Sequence, residues 1–193
     1  MRYLLILLLC GLPMLASAIE FNQDTQRLPL GRVMQVLEDP SAALTIADVS
    51  APSAARQFKP HDKDTLNAGY SRSVFWLKVD LHYMPWLADA QRTWLLELAY
   101  PPLDHVDLYQ EDGRGGFTLV SRSGDAWPFS QRQIKQSTYL FELQLQPGKP
   151  QRLYLRLQTE GSLQAPLTLW APTAYLEEMP RHTYLLGIIY GVM

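Results

Sequence analysis

The chain contains a single cysteine, Cys10, in 193 residues. Cys10 lies within an N-terminal segment that we expect to be removed on export, so the mature chain is predicted to have none. A chain without cysteine forms neither a disulfide nor a thiolate metal site, although exported proteins reach compartments that permit disulfides. Stability must therefore come from a packed core, and about 175 residues are enough for one ordinary domain.

An excess of positive charge is also absent. The formal net charge is −2, and loss of Arg2 with the N-terminal segment leaves 16 basic against 19 acidic residues. Proteins that bind nucleic acid or anionic lipid through charge usually carry a basic excess. The sequence therefore predicts no nucleic-acid partner and no strong electrostatic attraction to anionic lipid.

Neither end of the chain has an apolar run of the ~20 residues that cross a bilayer. Residues 1–18 instead have the features of a secretory signal peptide. Arg2 supplies a positive start, Leu4–Leu9 is unbroken apolar, and Ala16–Ala18 supplies the small residues before a cleavage site. We expect the mature chain to begin near Ile19 and to be exported to the periplasm. The alternative is an uncleaved signal anchor, which the short apolar run disfavours.

The last ten residues, Tyr184–Met193, contain no charge. They lack the polar face of a core helix and are too short to span a membrane. Residues 182–193 therefore predict the start of a first transmembrane helix that the end of the sequence cuts off, with Arg181 and His182 at the periplasmic surface. On this interpretation the chain is part of a longer protein anchored in the inner membrane. The alternative is a buried C-terminal helix.

Motifs for catalysis are missing. Gly69–Ser73 differs from a nucleophile elbow at its last residue and leads into a predicted strand rather than a helix. The pair His61 and Asp62 has no partners at the spacing that metal or acid–base chemistry needs. A phosphate-binding glycine loop is also absent. The sequence therefore predicts no catalytic residue, no metal and no cofactor, and the chain is not expected to be an enzyme.

The sequence does contain clear β-strand alternation. In Val74–Tyr83, the residues at odd positions are apolar and share one face, whereas the even positions carry a mixed face. Seven further strands are predicted: Leu44–Val49, Trp94–Tyr100, Val106–Tyr109, Phe117–Val120, Tyr139–Leu145, Leu153–Gln158 and Leu167–Trp170. Strands with one apolar and one mixed face are typical of two packed antiparallel sheets.

The predicted fold is therefore all-β. About eight short strands with two long connections, residues 50–70 and 121–137, favour a jelly-roll β-sandwich. The residues expected inside are Phe75, Leu77, Val79, Leu96, Leu98, Val106, Leu108, Phe141, Leu143, Leu155 and Leu157.

Four stretches contain distinctive sequence motifs: Val74–Lys78, Tyr100–Tyr109, Gly124–Arg132 and Gly161–Trp170. Over residues 28–175 the chain resembles the second class of extracellular sensor domain on bacterial seven-transmembrane receptors with diverse intracellular signalling modules (7TMR-DISM). The resemblance implies a jelly roll similar to carbohydrate-binding modules. It also implies a periplasmic ligand and signalling through seven helices to a kinase, cyclase or phosphatase module. Such a module would belong to a longer parent.

Jelly rolls that bind sugars use an aromatic surface and a few polar groups. The predicted strand faces place Trp76 and Arg156 opposite the aliphatic residues, and the second long connection carries Trp127 and Arg132. With Asp104, these five residues are the predicted ligand site, in which Trp127 offers a stacking surface and Arg132 a fork of donors. The alternative is that the aromatics pack a second face and that Arg132 and Arg156 pair with acidic neighbours.

Two functions of different classes remain open. The first is a ligand-sensing domain that binds a carbohydrate or another small molecule. The second is a structural or interaction domain that forms a homodimer or docks a partner through an exposed aromatic face.

Overall fold

The computed structural model describes residues 18–178. The predicted transmembrane segment 182–193 and nearly all of the predicted signal peptide lie outside the described residues. Within residues 18–178, no helix combines the length and the apolar character needed to cross a membrane.

The described part of the chain is built almost entirely from short strands. In chain order they are β1 (Ile19–Phe21), β2 (Arg27–Pro29), β3 (Gln35–Asp39), β4 (Lys59–Pro60), β5 (Leu66–Tyr70), β6 (Val74–Tyr83), β7 (Thr93–Leu98), β8 (His105–Glu111), β9 (Phe117–Ser123), β10 (Tyr139–Gln144), β11 (Pro150–Gln158), β12 (Ser162–Ala165) and β13 (Leu167–Trp170). One short helix, α1 (Ile46–Ser50), lies between β3 and β4, and residues 172–178 are helical. Two single 3-10 turns occur at Pro52–Ala54 and Phe129–Gln131.

The strands form two main sheets. The larger sheet has the order β4-β3-β6-β11-β8-β9, with β1 added in parallel to the last residues of β6. The smaller sheet has the order β10-β7-β13-β2, and β12 pairs with β5 in a separate two-stranded ladder. Every described pairing except that of β1 with β6 is antiparallel. This arrangement confirms the predicted all-β fold.

One hydrophobic core joins the two sheets. It contains Leu77 of β6 and Leu155 of β11 from the larger sheet together with Leu96 of β7 and Leu143 of β10 from the smaller sheet, and none of these four residues has exposed surface. All eleven residues that the sequence places inside are buried. Burial of a leucine side chain contributes roughly 1.5–3 kcal/mol to folding, so these core residues stabilise the packing of the two sheets.

One predicted strand is wrong. The segment Leu44–Val49 forms α1 instead, because Thr45 and Asp48 make a capping box. The Thr45 hydroxyl accepts a hydrogen bond from the Asp48 N–H, and the Asp48 carboxylate accepts one from the Thr45 N–H at 2.8 Å. A capping box satisfies the free donors at a helix start. Only Leu44 and Ile46 alternate in this segment, and this weak strand pattern does not outweigh the capping signal.

The segment that contains α1 packs on the outer face of the larger sheet, the face turned away from the core. Val49 and Phe58 from this segment form a second cluster with Trp76 of β6 and Tyr154 of β11. The Phe58 and Tyr154 ring centroids are 5.7 Å apart. The outer face is therefore partly covered. Trp76 and Tyr154 are buried, so neither offers an exposed aromatic surface to a partner.

Candidate ligand-binding groove

One row of directly opposed residues crosses five strands of the larger sheet on its outer face. Leu37 of β3 faces Trp76 of β6, and Trp76 faces Arg156 of β11. Arg156 in turn faces Asp107 of β8, and Asp107 faces Arg122 of β9. Directly opposed side chains on one sheet face lie within contact distance. The strand register therefore brings an indole, two guanidinium groups and a carboxylate into one line.

An open groove of about 350 Å³ lies over this row. Leu44–Ile46, at the start of α1, forms one wall, and Trp127 forms the other. Trp76 and Tyr109 lie at the base, where their ring centroids are 5.9 Å apart. Trp76 is fully buried and so supports the floor, whereas Trp127 is partly exposed and presents an aromatic surface.

The charges of the groove are unevenly paired. Arg122 Nε donates to Asp107 Oδ1 at 2.9 Å, and this hydrogen bond raises the pKa of Arg122. Arg156 Nη2 donates to Gln158 Oε1 at 3.0 Å. Among the residues that the structure describes, Arg156 has no carboxylate partner within salt-bridge distance. The groove thus contains one neutralised ion pair and one guanidinium whose charge is not neutralised.

Tyr109 lies within this charged row. Burial raises the pKa of its hydroxyl, Asp107 raises it further, and Arg122 and Arg156 act in the opposite direction. The net direction is upward, so Tyr109 remains protonated at neutral pH and can donate or accept a hydrogen bond in the groove.

The turn that carries Trp127 is fixed by Gly124. Gly124 has φ +136°, and a Cβ at this position would collide with the carbonyl oxygen of Asp104. The turn then bonds to the start of β8, since the Asp125 N–H donates to Leu103 O at 2.7 Å and the Ala126 N–H donates to Asp104 O at 3.2 Å. Only glycine fits a close backbone approach at such a φ. The sequence Gly124–Trp127 therefore holds the indole at the groove.

Trp127 is held in place by its neighbours as well. Its ring lies 5.6 Å from the Arg122 guanidinium carbon and 6.2 Å from the His105 ring centroid. A guanidinium over an indole contributes about 0.5–1 kcal/mol at exposed sites. Arg122 thus bridges Asp107 on the sheet and Trp127 on the wall, so the two parts of the groove are physically connected.

The model of the 7TMR-DISM extracellular 2 domain matches residues 31–171, which is more than half of the chain. The chain belongs to this family. Its relatives are extracytoplasmic sensor domains of seven-transmembrane receptors, and the family is not one of enzymes. Within residues 18–178, no three His, Cys, Asp or Glu side chains come close enough together to hold a metal ion.

A solved structure of carbohydrate-binding modules from the β-sandwich superfamily is also similar to the sensor domain, with a TM-score of 0.29 and 12% identity. The alignment covers 76% of this chain and 52% of that chain, so the sensor domain spans about half the length of that structure. No curated protein matches the sequence.

The structure brings three of the five predicted site residues to the groove: Trp76, Trp127 and Arg156. Asp104 does not line the groove, and its Oδ2 accepts a hydrogen bond from the Glu160 N–H at 2.7 Å. Asp104 contacts the turn that carries Trp127 through its backbone, because its carbonyl oxygen accepts a hydrogen bond from the Ala126 N–H.

Arg132 is not among the residues that line the groove. Its Nη1 donates to the carbonyl oxygens of Gln136 and Ser137 at 2.7 and 3.2 Å. Its guanidinium carbon lies 5.0 Å from the Phe129 ring centroid and 4.6 Å from that of Tyr139. In the sensor domain Arg132 thus pins the second long connection, through carbonyl groups and rings rather than through an acidic neighbour.

Sequence reasoning missed Arg122 as a groove residue. The hairpin turn between β8 and β9 gives the pairing of Tyr109 with Leu119, but the register shifts by one residue between Leu108 and Tyr109. Without this β-bulge, Asp107 would oppose Ser121. A bulge adds one unpaired residue and re-aims the side chains beyond it. Only the paired charges of Asp107 and Arg122 on adjacent strands could have signalled the shift.

Proposed function

We propose that residues 28–175 form the periplasmic ligand-sensing domain of a membrane-bound receptor, and that the groove binds a carbohydrate or another small ligand. The observation that carries this proposal is the row Trp76, Arg156, Asp107 and Arg122 beneath an open groove with a tryptophan wall. The groove volume of about 350 Å³ is within the range of small-ligand pockets. An exposed indole covers the apolar face of a pyranose, while guanidinium groups bind its oxygens.

The rest of the receptor supplies the output. Family membership supports an export signal in residues 1–18 and an inner-membrane parent in which residues 182–193 start the first of seven helices. The kinase, cyclase or phosphatase activity then belongs to the parent protein. The groove itself is assembled from the sheet and from Leu44–Ile46, so a bound ligand contacts both and fixes their separation.

A thermal-shift experiment tests the binding. The purified chain is heated with a panel of mono- and disaccharides, sugar acids and small organic acids. Because a ligand that binds only the folded state adds about 2.7 kcal/mol of stability at 100 times its Kd, a specific ligand raises Tm clearly. The variant Trp127→Ala should lose this shift.

Trp86→Ala is the matched control, because Trp86 is an exposed tryptophan that does not line the groove. It should keep the full shift. A ligand response that survives in Trp127→Ala, or a panel without any response, would overturn the assignment of the groove.

A second candidate function has its own observation. Met84, Trp86 and Leu87, in the connection between β6 and β7, are 47%, 62% and 53% exposed. Adjacent apolar side chains at this level of exposure are typical of an interaction surface. Self-association through this loop predicts a dimer in sedimentation equilibrium that Trp86→Ser and Leu87→Ser together convert to a monomer. A monomer at all concentrations would exclude homodimerisation of this chain.

A further inference from the structure

The charged groups of the groove are mostly cationic. Arg122 and Arg156 carry guanidinium groups, which donate but cannot accept hydrogen bonds. The Asp107 carboxylate is the single acidic group of the groove, and Arg122 already engages both of its oxygens, at 2.9 and 3.5 Å.

These charged groups favour an anionic ligand over a neutral sugar. A neutral sugar presents hydroxyl groups that both donate and accept, so a site for it normally offers carboxylates or amides as acceptors. In this groove Asp107 and Gln158 already accept hydrogen bonds from Arg122 and Arg156, whereas the charge of Arg156 has no carboxylate partner among the described residues. A ligand with an anionic group accepts hydrogen bonds from Arg156 and neutralises this charge.

We infer that the groove takes a pyranose that carries a carboxylate, that is, a sugar acid, with the carboxylate on Arg156 and the ring against Trp127. The inference rests on the proposed function and specifies its ligand class. Arg156 donates one side-chain hydrogen bond, to Gln158, and a guanidinium has five N–H donors. It is therefore equipped for the paired, bidentate contact with a carboxylate that makes arginine selective for such groups.

The sheet positions one end of the proposed contact, and the turn at Gly124–Trp127 positions the other. Arg156 is half-buried between its cross-strand neighbours Trp76 and Asp107, which restricts its side chain. Trp127 forms the opposite wall and is held by Arg122. The carboxylate and the ring of one monosaccharide can therefore be recognised at the same time within about 350 Å³.

Isothermal titration with D-glucuronate, D-glucose and acetate tests the ligand class. We expect D-glucuronate to bind at least tenfold more tightly than D-glucose, which has the ring without the carboxylate, and than acetate, which has the carboxylate without the ring. Arg156→Gln keeps a polar side chain without the charge. It should reduce the affinity for D-glucuronate to that for D-glucose and leave Tm nearly unchanged.

Arg114→Gln is the matched control, because Arg114 is an exposed arginine in the turn between β8 and β9, outside the groove. It makes the same change in net charge and should retain the preference for D-glucuronate. Equal affinity for the acid and the neutral sugar, or a preference that Arg114→Gln removes as fully as Arg156→Gln does, would overturn the inference. If the thermal-shift panel yields a neutral ligand that depends on Trp127, the proposed function stands while this inference fails. If neither titration nor panel shows any binding, both fail.

Discussion

The two faces of the larger sheet are built from alternate residues of the same strands, yet they obey different rules. On β11, Leu155 points into the core and is fully buried, while the next residue, Arg156, is half-buried and belongs to the outer row. The inner face is uniform because every position meets the opposite sheet. The outer face is mixed because part of it is covered by the segment of α1 and part is left open as a groove. Stability is concentrated on one face and recognition on the other.

The largest expected effect tests this separation directly. Leu155→Ala should lower the free energy of unfolding by about 2–5 kcal/mol, because it leaves a cavity in the core between the sheets. Arg156→Gln, one residue away, should cost less than about 0.5 kcal/mol, as surface substitutions usually do. Urea denaturation of the two variants measures both values. Similar losses for the two would show that the outer row is part of the structural core.

A smaller loss is expected at the turn that carries the groove wall. Gly124→Ala places a Cβ against the Asp104 carbonyl at a φ that disfavours side chains. We expect a cost of about 1–3 kcal/mol, together with displacement of Trp127. Quenching of tryptophan fluorescence by acrylamide should therefore increase. Gly113→Ala is the control, since Gly113 also has a positive φ but no atom near its missing Cβ. A fluorescence change of equal size in both variants would contradict the role of the close approach.

Arg132→Ala tests whether a residue of the second long connection supports the structure or the ligand site. The variant loses hydrogen bonds to the carbonyls of Gln136 and Ser137 and the contacts with two rings. Loss of a charged hydrogen bond costs about 1.5–3 kcal/mol, so Tm should fall. The folded variant should bind a groove ligand with unchanged affinity. Loss of binding with an unchanged Tm would instead place Arg132 in the site.

The smallest effect concerns Asp39, which bonds to the start of the segment that contains α1, and it is expected only at acidic pH. Burial raises the pKa of Asp39, but hydrogen bonds from Ser41, Leu44 and Ala42 outweigh it and leave this pKa below its ordinary value. A lowered folded-state pKa contributes stability above the unfolded-state value of about 3.9, and that stability is lost as the pH falls through the folded-state pKa. Asp39→Asn should flatten the fall of Tm below about pH 4. An unchanged acid profile would show that Asp39 does not hold the segment.

The sequence predicted the inner face well because burial imposes a strict period of two. The predicted inward residues, from Phe75 to Leu157, stand at every second position of their strands. The outer face was predicted only in part. Strand alternation placed Trp76 and Arg156 on it, but whether an outer residue is covered depends on a segment that is distant in the sequence. Hydrophobic periodicity predicts neither the α1 capping box nor the bulge between Leu108 and Tyr109, because both depend on polar residues and strand register.

The row across five strands has a consequence for how the domain can vary. Its members Trp76, Arg156, Asp107 and Arg122 come from four different strands, and the hydrogen-bonded register aligns them. The turns between these strands can gain or lose residues without moving the row. One residue inserted within β11 before Arg156 would turn that guanidinium into the core and bring a leucine to the groove. Length changes should therefore accumulate in the connections, such as residues 112–116, while the strand interiors keep a fixed spacing.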